Sequence, residues 1–176
     1  MASELLFSIR PARAADVARL GSIEVDAGRR FRDVGLDSIA GDDPPPAAEL
    51  MTHIEGGTAW VAVDSTGEPI GYAVSSVVDG EGHLDQVSVV ENAAGHGVGR
   101  ALIDEVCRWA TSLALPALTL TTFRDVAWNG PYYRRLGFEE LAGGELGPEL
   151  AGIRRAETER GIDVAPRIAM RLDLRT

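Results

Sequence analysis

The stretch that decides the fold runs from Val87 to Val106 and has the sequence VSVVENAAGHGVGRALIDEV. Its first four residues are β-branched or small, which is typical of a buried strand. Gly95, Gly97 and Gly99 then alternate with other residues in a tight loop. Glycine lets a backbone adopt positive φ angles and approach a ligand closely. The stretch therefore begins as a strand and continues into a loop suited to ligand contact.

The residues after this loop, from Arg100 to Ala114, have the spacing of a helix. Their apolar stripe recurs every three or four positions, at Leu102, Val106, Trp109 and Leu113, with Ile103 and Ala110 beside it. A helix N-terminus exposes unpaired N–H groups and the positive end of the helix dipole. The order strand, glycine loop, helix therefore predicts a site for an anion, above all a phosphate.

The glycine spacing excludes two common phosphate loops. A dinucleotide-binding loop needs Gly-x-Gly-x-x-Gly, but counting from Gly95 or Gly97 places Arg100 or Leu102 at the third glycine. A P-loop needs Gly-Lys-Ser/Thr, and the chain contains no lysine. The pair Gly97 and Gly99 instead resembles the acyl-coenzyme-A loop of the GNAT acyltransferase superfamily, whose pattern is Arg/Gln-x-x-Gly-x-Gly/Ala.

In this frame Ala94 stands where the family has arginine or glutamine. Binding of the coenzyme pyrophosphate is therefore expected to depend on backbone N–H groups, with added contacts from His96 and Arg100. The resemblance implies a coenzyme-binding set of Val87, Ser88, Val89, Ala94, Gly95, His96, Gly97, Val98, Gly99, Arg100 and Asn129.

A second motif lies downstream in Val126–Phe138, VAWNGPYYRRLGF. Its ending, Tyr133 to Phe138, has the pattern Tyr-x-x-x-Gly-Phe and resembles the last GNAT element, in which a short helix supplies a tyrosine and turns into a strand. Asn129 fits that element as well. The two motifs occur in the family's order, and the resemblance extends over about Phe7 to Leu174.

The fold implied is α/β (α+β): a mixed, mostly antiparallel sheet of about seven strands, with a splayed central parallel pair and flanking helices, in one domain over residues 1–176. The predicted strands are Leu6–Arg10, Ala59–Asp64, Ile70–Val78, His83–Val90, Ala117–Thr122, Phe138–Leu141 and Val164–Leu174. The predicted helices are Asp16–Arg30, Pro46–Ile54, Arg100–Ala114 and one within 143–163 that presents Leu146, Leu150 and Ile153 on one face. Residues 31–46 are predicted to form a polar, proline-rich loop.

Composition narrows the classes of function. The net charge of −10 argues against nucleic-acid binding and is compatible with a cationic acceptor. The single cysteine, Cys107, excludes an internal disulfide and suits a reducing compartment. We expect a cytoplasmic protein, since there is no membrane-length apolar run and no signal peptide. The three histidines show no metal-ligand spacing, so no metal is expected.

The resemblance implies transfer of an acetyl group from acetyl-coenzyme A to an amine, expected to be a small molecule, by direct attack. The leaving thiolate has a pKa of about 8–9, so a proton donor helps it to leave. Tyr133 occupies the position of the family's tyrosine and is the candidate general acid, with Tyr132 as the alternative.

The general base is less obvious from the sequence than the general acid. Many relatives carry a glutamate on the central strand where this chain has Gln86, which cannot accept a proton. Asp85 is adjacent, but successive strand side chains face opposite ways. Glu24 on the first helix is the best substitute and Glu157 a weaker one. A simple alkylamine costs roughly 4–5 kcal/mol to present neutral at pH 7, so a water chain or an acceptor of low pKa also stays open.

Two other functions stay open beside the small-molecule enzyme. One is a non-catalytic acyl-coenzyme-A-binding sensor or regulatory module, because Ala94 and Gln86 depart from the family pattern. The other is acetylation of a protein N-terminus or lysine, which would need an open groove. Relatives are often dimers, so a homodimer is expected from the resemblance alone.

Overall fold

The computed structural model describes residues 5–175, and this part of the chain contains a seven-stranded sheet in the order β1-β2-β3-β4-β5-β7-β6. The strands are β1 (Phe7–Pro11), β2 (Ala59–Asp64), β3 (Pro69–Val78), β4 (Glu81–Val89), β5 (Ala117–Phe123), β6 (Glu139–Glu140) and β7 (Arg167–Asp173). The α-helices are α1 (Val17–Gly28), α2 (Asp37–Ala40), α3 (Ala47–Glu55), α4 (Val98–Ser112), α5 (Gly130–Arg135) and α6 (Pro148–Glu159). β4 and β5 pair in parallel, and the predicted mixed α/β (α+β) fold is confirmed.

Two compact units can be distinguished. The first comprises the chain up to Ser75 together with Leu84–Arg108, and the second comprises Ser76–His83 together with the chain from Trp109 onward. The glycine loop and α1 belong to the first unit, whereas α5 and α6 belong to the second. The expectation of a single domain over residues 1–176 stays a prediction.

The first unit is built around β2, whose sequence AWVAVD is buried over its first five residues. β2 pairs antiparallel with both β1 and β3, and because consecutive strand side chains point to opposite faces, its continuous burial shows that both faces of the sheet are covered here. Leu20 and Ile23 of α1 and Leu102 and Val106 of α4 are fully buried. The apolar stripe predicted for the helix after the glycine loop therefore lies on the core face of α4 in this unit.

The second unit is built around β5 and β7, which pair antiparallel over seven residues from Ala117↔Asp173 to Phe123↔Arg167. The parallel ladder between β4 and β5 contains two residue pairs, Gly82↔Leu118 and His83↔Thr119. α6 packs its apolar face here: Leu150 forms a cluster with Val78 and Ala169, and Leu146 and Ile153 lie against it.

The turn between β3 and β4 anchors α6. Asp79 and Gly80 have φ angles of +52° and +76°, the conformation of a two-residue hairpin turn of type I′. The Asp79 carboxylate accepts hydrogen bonds from the backbone N–H groups of Glu149 (3.0 Å) and Leu150 (2.8 Å). A side chain from the hairpin therefore caps the first turn of α6.

Several local predictions were wrong. Residues 31–46 are not one loop: a 3₁₀ helix spans Arg29–Val34 and α2 follows, because Gly35 reverses the chain with a φ of +75° and Ala40 is buried. Leu113 is 53 % exposed, since α4 ends at Ser112. β6 has two residues rather than four.

No helix within residues 5–175 is long and apolar enough to cross a bilayer. The same residues contain no group of three or more His, Cys, Asp or Glu side chains arranged to hold a metal ion.

Candidate active site

The glycine loop of the first unit is an exposed, left-handed segment before α4. Gly95 and Gly97 have φ angles of +80° and +83°, and a β-carbon on either would meet no atom within 4 Å. These glycines are therefore required by the backbone conformation and not by crowding from the protein. The outer side of the loop is free to receive a ligand.

The loop is held in place at both ends. On its N-terminal side the backbone N–H of Glu91 donates to Asp26 Oδ2 of α1 at 2.8 Å. On its C-terminal side Val98 is 1 % exposed, and the carbonyl of Gly97 accepts the first helical hydrogen bond from Ala101 N at 3.0 Å. The amides preceding Ala101 at the start of α4 lack helical carbonyl partners, as at any helix N-terminus.

The predicted coenzyme residues of the first unit differ in their exposure to solvent. On β4, Ser88 is buried and its neighbours Val87 and Val89 are half-buried. The loop positions Gly95, His96 and Gly97 are exposed, as is Arg100, whereas Ala94 and Gly99 are half-buried. The Arg100 Nε lies 3.4 Å from Asp104 Oδ1 in an exposed pair, and such pairs contribute little to stability. This leaves the Arg100 side chain free to turn toward an anion.

A second polar group of the first unit surrounds Glu24 on α1. Its Oε2 accepts hydrogen bonds from the Tyr72 hydroxyl (2.8 Å) and from Ser88 Oγ (2.6 Å). Its Oε1 accepts a hydrogen bond of 2.9 Å from Gln86 Nε2. We call these four residues the Glu24 cluster. Tyr72 is 0 % exposed and Ser88 is 6 % exposed, whereas Glu24 and Gln86 are half-buried.

The Glu24 cluster includes Gln86, the strand position at which many relatives have a glutamate. Gln86 occupies the strand position expected to carry the carboxylate, and the carboxylate of Glu24 lies at hydrogen-bond distance from its amide. Asp85 is exposed and takes no part in the cluster, in line with the alternation of strand side chains. A helix side chain thus provides a carboxylate at the place where the strand provides none.

Sequence reasoning missed Tyr72 and the side-chain role of Ser88. Burial raises the pKa of the Tyr72 phenol far above its ordinary value, and the negative charge of Glu24 raises this pKa further. The phenol is therefore a hydrogen-bond donor throughout the physiological range. The signal available in the sequence was weak: a tyrosine inside an apolar strand, which ordinary core packing also explains.

Tyr133 lies on α5 in the second unit and is 8 % exposed. Its ring packs edge-on against Phe138, with centroids 5.7 Å apart. Burial raises the pKa of Tyr133 above its ordinary value, so the hydroxyl stays protonated near neutral pH. The structure gives that hydroxyl no hydrogen-bond partner within residues 5–175, which leaves its proton available to a ligand. Tyr132, the alternative acid, is half-buried next to it.

Asn129 precedes α5 and has a buried side-chain oxygen, Oδ1, with no hydrogen-bond partner in the described part of the chain. A buried unpaired acceptor is costly, and a ligand N–H is one group that can satisfy it. The next residue, Gly130, lies where there is room only for glycine. A β-carbon there would lie within 3.0 Å of the Phe123 carbonyl oxygen and closer still to the carbonyl oxygen of Arg124.

Glu157, the weaker base candidate, is committed to other contacts of the second unit. Its Oε1 lies 3.0 Å from Arg167 Nη2, and it also pairs with Arg154 and accepts a hydrogen bond from Thr121. Although burial opposes ionisation, these partners keep the pKa of Glu157 below its ordinary value. A carboxylate bound to two guanidinium groups is a structural ion pair and a weak base.

Residues 18–138 match the Acetyltransferase (GNAT) family, and this match spans both the glycine loop and Tyr133. The chain belongs to the GNAT acetyltransferase family.

Several solved structures share the fold of this chain. A GNAT-family acetyltransferase from Staphylococcus aureus is 14 % identical, with a TM-score of 0.75, and the alignment covers 97 % of this chain and 100 % of that one. Rv2747 from Mycobacterium tuberculosis, solved with coenzyme A, is 21 % identical with a TM-score of 0.67 over 94 % of this chain and 98 % of that one. The N-acetylglutamate synthase of Neisseria gonorrhoeae, solved with coenzyme A and N-acetyl-glutamate, is 16 % identical with a TM-score of 0.71 over 99 % of this chain and 37 % of that one.

Proposed function

We propose that this GNAT protein transfers an acetyl group from acetyl-coenzyme A to a small amine by direct attack of the amine on the thioester. The observation that carries the proposal is the Glu24 cluster: a carboxylate held beside Gln86, where many relatives have a strand glutamate. A regulatory module that only binds an acyl-coenzyme A has no need of such a carboxylate. Acetyl-coenzyme A is the co-substrate, and no metal is assigned a role.

The glycine loop is the proposed site for the coenzyme pyrophosphate. Its left-handed glycines and the N-terminus of α4 offer backbone N–H groups to an anion. The half-buried edge of β4 at Val87 and Val89 offers backbone groups to the pantetheine arm, as the family resemblance implies. In the second unit, the unpaired Oδ1 of Asn129 suits an amide N–H of a ligand, and the family resemblance assigns this residue to the coenzyme.

Two protons must move for the reaction to proceed. Glu24 is the proposed general base, which removes a proton from the acceptor nitrogen. Tyr133 is the proposed general acid, which protonates the leaving thiolate; its family position and the hydroxyl of this buried side chain, which has no hydrogen-bond partner within residues 5–175, support this role. Each such group typically contributes a factor of about 10² to 10⁴ in rate.

The experiment has two stages. Thermal unfolding is first measured with acetyl-coenzyme A and with NAD as the control; ligand at 100 times its Kd stabilises by about 2.7 kcal/mol. Release of free thiol is then measured against a panel of small amines, amino acids and peptides. Transfer to small amines, reduced at least 100-fold in Glu24→Gln with unchanged coenzyme binding, supports the proposal.

The same experiment separates the alternatives. A melting shift without transfer to any acceptor would favour the binding module. Preference for peptides over small amines would favour acetylation of a protein N-terminus or lysine. No shift with millimolar acetyl-coenzyme A would contradict the assignment of the glycine loop.

A further inference from the structure

A short 3₁₀ turn of the first unit, Glu91–Ala93, leads from β4 to the glycine loop. Asp26 Oδ2 of α1 accepts a hydrogen bond of 2.8 Å from the backbone N–H of Glu91, the first residue of this turn. The first N–H groups of a helix have no partner inside the helix. A carboxylate that lies 65 positions away along the chain therefore caps the turn from outside.

The turn carries this contact to the glycines. Within it, Ala93 N donates to the Val90 carbonyl oxygen at 3.0 Å, and Ala94 N donates to the Glu91 carbonyl oxygen at 3.1 Å. Ala93 is 2 % exposed, so the turn also packs against the core. Gly95 follows at once with its left-handed φ of +80°. The place at which Glu91 is held therefore sets where the chain enters the glycine loop.

Asp26 is itself held in one orientation. While Oδ2 accepts the hydrogen bond from Glu91, Oδ1 lies 3.1 Å from Arg29 Nη1. The Arg29 side chain is largely exposed, and an ion pair of this kind contributes little to stability. Its effect is to occupy one carboxylate oxygen and to leave the other directed at the turn.

The helix that carries Asp26 is fixed to the sheet close by. Glu24 lies two residues earlier on α1, and its carboxylate accepts hydrogen bonds from Tyr72 of β3 and from Gln86 and Ser88 of β4. Backbone hydrogen bonds set the spacing between neighbouring residues of a helix. The Glu24 cluster therefore gives Asp26 a defined position from which to hold the turn.

We propose that Asp26 is a positioning residue for the coenzyme: through the Glu91 N–H it holds the glycine loop in the arrangement that presents backbone N–H groups to the pyrophosphate. This deepens the proposed function and rests on it. Ordering a flexible loop costs conformational entropy, and a loop that is ordered before the ligand arrives binds it more tightly. Ala94 offers no polar side chain to the phosphates, so the placement of the backbone N–H groups decides the affinity.

The first test is calorimetry of acetyl-coenzyme A binding. Asp26→Ala should raise Kd about 10-fold, which corresponds to about 1.4 kcal/mol and is the size of one hydrogen bond to a charged group. Asp26→Asn keeps a side-chain oxygen that can accept the Glu91 N–H and should bind within about twofold of the wild type. Tighter binding by both variants than by the wild type would show that the carboxylate only repels the phosphates, and would overturn the proposal.

Asp64→Ala is the matched control for the loss of a carboxylate cap. Asp64 Oδ1 accepts hydrogen bonds from the backbone N–H groups of Thr66 (2.8 Å) and Glu68 (3.1 Å) at the β2–β3 turn of the same unit. Urea unfolding should show a loss of stability in both alanine variants, whereas Kd should rise in Asp26→Ala alone. An unchanged Kd in Asp26→Ala, or an equal rise in both variants, would overturn the proposal.

A double-mutant cycle tests the contact itself. Glu91→Pro removes the donor N–H, and the local backbone accepts proline: Val90 has φ −57° and ψ 148°, which the residue before a proline favours, and proline suits the first position of a helix. Glu91→Pro should raise Kd about as much as Asp26→Ala, and the double variant no further, because both changes remove the same hydrogen bond. Additive losses would overturn the proposal.

Steady-state kinetics give a readout that a purely structural role would not produce. Asp26→Ala should raise KM for acetyl-coenzyme A while kcat stays near the wild-type value, because saturating coenzyme holds the loop in place. A lowered kcat with an unchanged KM for acetyl-coenzyme A would overturn the positioning role.

The outcomes separate this inference from the proposed function. If the wild type binds acetyl-coenzyme A but acetylates no acceptor, the proposed enzyme function fails, and the series of Kd values still decides the role of Asp26. If the wild type binds acetyl-coenzyme A and acetylates amines while Asp26→Ala binds equally well, only the role of Asp26 fails. If the wild type does not bind acetyl-coenzyme A, the loop assignment and the role of Asp26 fail together.

Discussion

Gln86 Nε2 lies 2.9 Å from one oxygen of Glu24 and 3.2 Å from the other, so a single amide hydrogen-bonds the whole carboxylate. The contact joins the central strand β4 to α1. Because glutamine is neutral, the pair carries one negative charge. A glutamate at this strand position would bring a second charge to the same place.

We therefore predict that Gln86→Glu destabilises the protein in a pH-dependent way. Two carboxylates at this distance repel each other and raise the folded-state pKa of the variant pair above the unfolded value of about 4.3. The stability of such a pair is fully present below the unfolded pKa and is lost as the pH rises through the raised value. Partial exposure limits the loss to about 2 kcal/mol between pH 5 and pH 7.5.

Urea unfolding of the variant and the wild type at both pH values measures this loss. Gln86→Leu, which adds no charge, is the control and should show no added pH dependence. An equal difference between Gln86→Glu and the wild type at pH 5 and pH 7.5 would show that the two side chains are not in contact.

Tyr133→Phe is predicted to lower kcat at least 100-fold, because phenylalanine cannot protonate the leaving thiolate. The ring contact with Phe138 is retained, so the melting temperature should change little. Kd for acetyl-coenzyme A, measured by calorimetry, should be unchanged. Tyr132→Phe is the matched control; a larger loss in that variant than in Tyr133→Phe would transfer the acid role to Tyr132.

Gly97→Ala is predicted to weaken coenzyme binding beyond its effect on stability. The φ angle of +83° is strained for alanine, at about 1–2 kcal/mol, and at the proposed pyrophosphate site the added methyl group would crowd the ligand. Gly67→Ala is the control, since Gly67 has a similar φ of +87° and equally open surroundings at the β2–β3 turn. Urea unfolding should show similar losses in both variants, whereas calorimetry should show weaker acetyl-coenzyme A binding in Gly97→Ala alone. Equal binding in both would refute the loop assignment.

His83 is predicted to make the protein less stable in mild acid. It is 3 % exposed, its Nδ1 lies 2.9 Å from Thr119 Oγ1, and burial lowers the pKa of this histidine to about 4. Since the folded pKa lies below the unfolded value of about 6.5, the unfolded state binds more protons between these values. The contribution is present above pH 6.5 and falls by about 3 kcal/mol as the pH drops to 4.

The measurement is the free energy of unfolding in urea between pH 7.5 and pH 4.5 for the wild type and for His83→Asn, whose amide can replace the contact with Thr119. The variant should lose less stability on acidification than the wild type. Parallel pH profiles would show that His83 does not titrate in this range on unfolding.

Much of the fold could be predicted because its signals are local. Strand β2 was predicted at its observed ends, and the helix after the glycine loop was placed within two residues of α4. The errors fall where tertiary contacts override local pattern. Leu113 continues the apolar spacing of α4 but lies beyond the end of that helix, since Ala114 adopts a φ of +57°. The segment 31–46 is polar and proline-rich, yet burial of Ala40 stabilises a short helix there.

By itself, the sequence determined the family, the glycine loop before α4 and the tyrosine on α5. Each of these is a motif within a few consecutive residues, where chain geometry alone sets the spacing. Only the tertiary structure decided that Glu24 meets Tyr72, Gln86 and Ser88, which lie 48, 62 and 64 positions away along the chain. Such contacts depend on the register of β3 and β4 and on the rotation of α1 against them. A local pattern cannot specify either, because each is set by how the whole core packs.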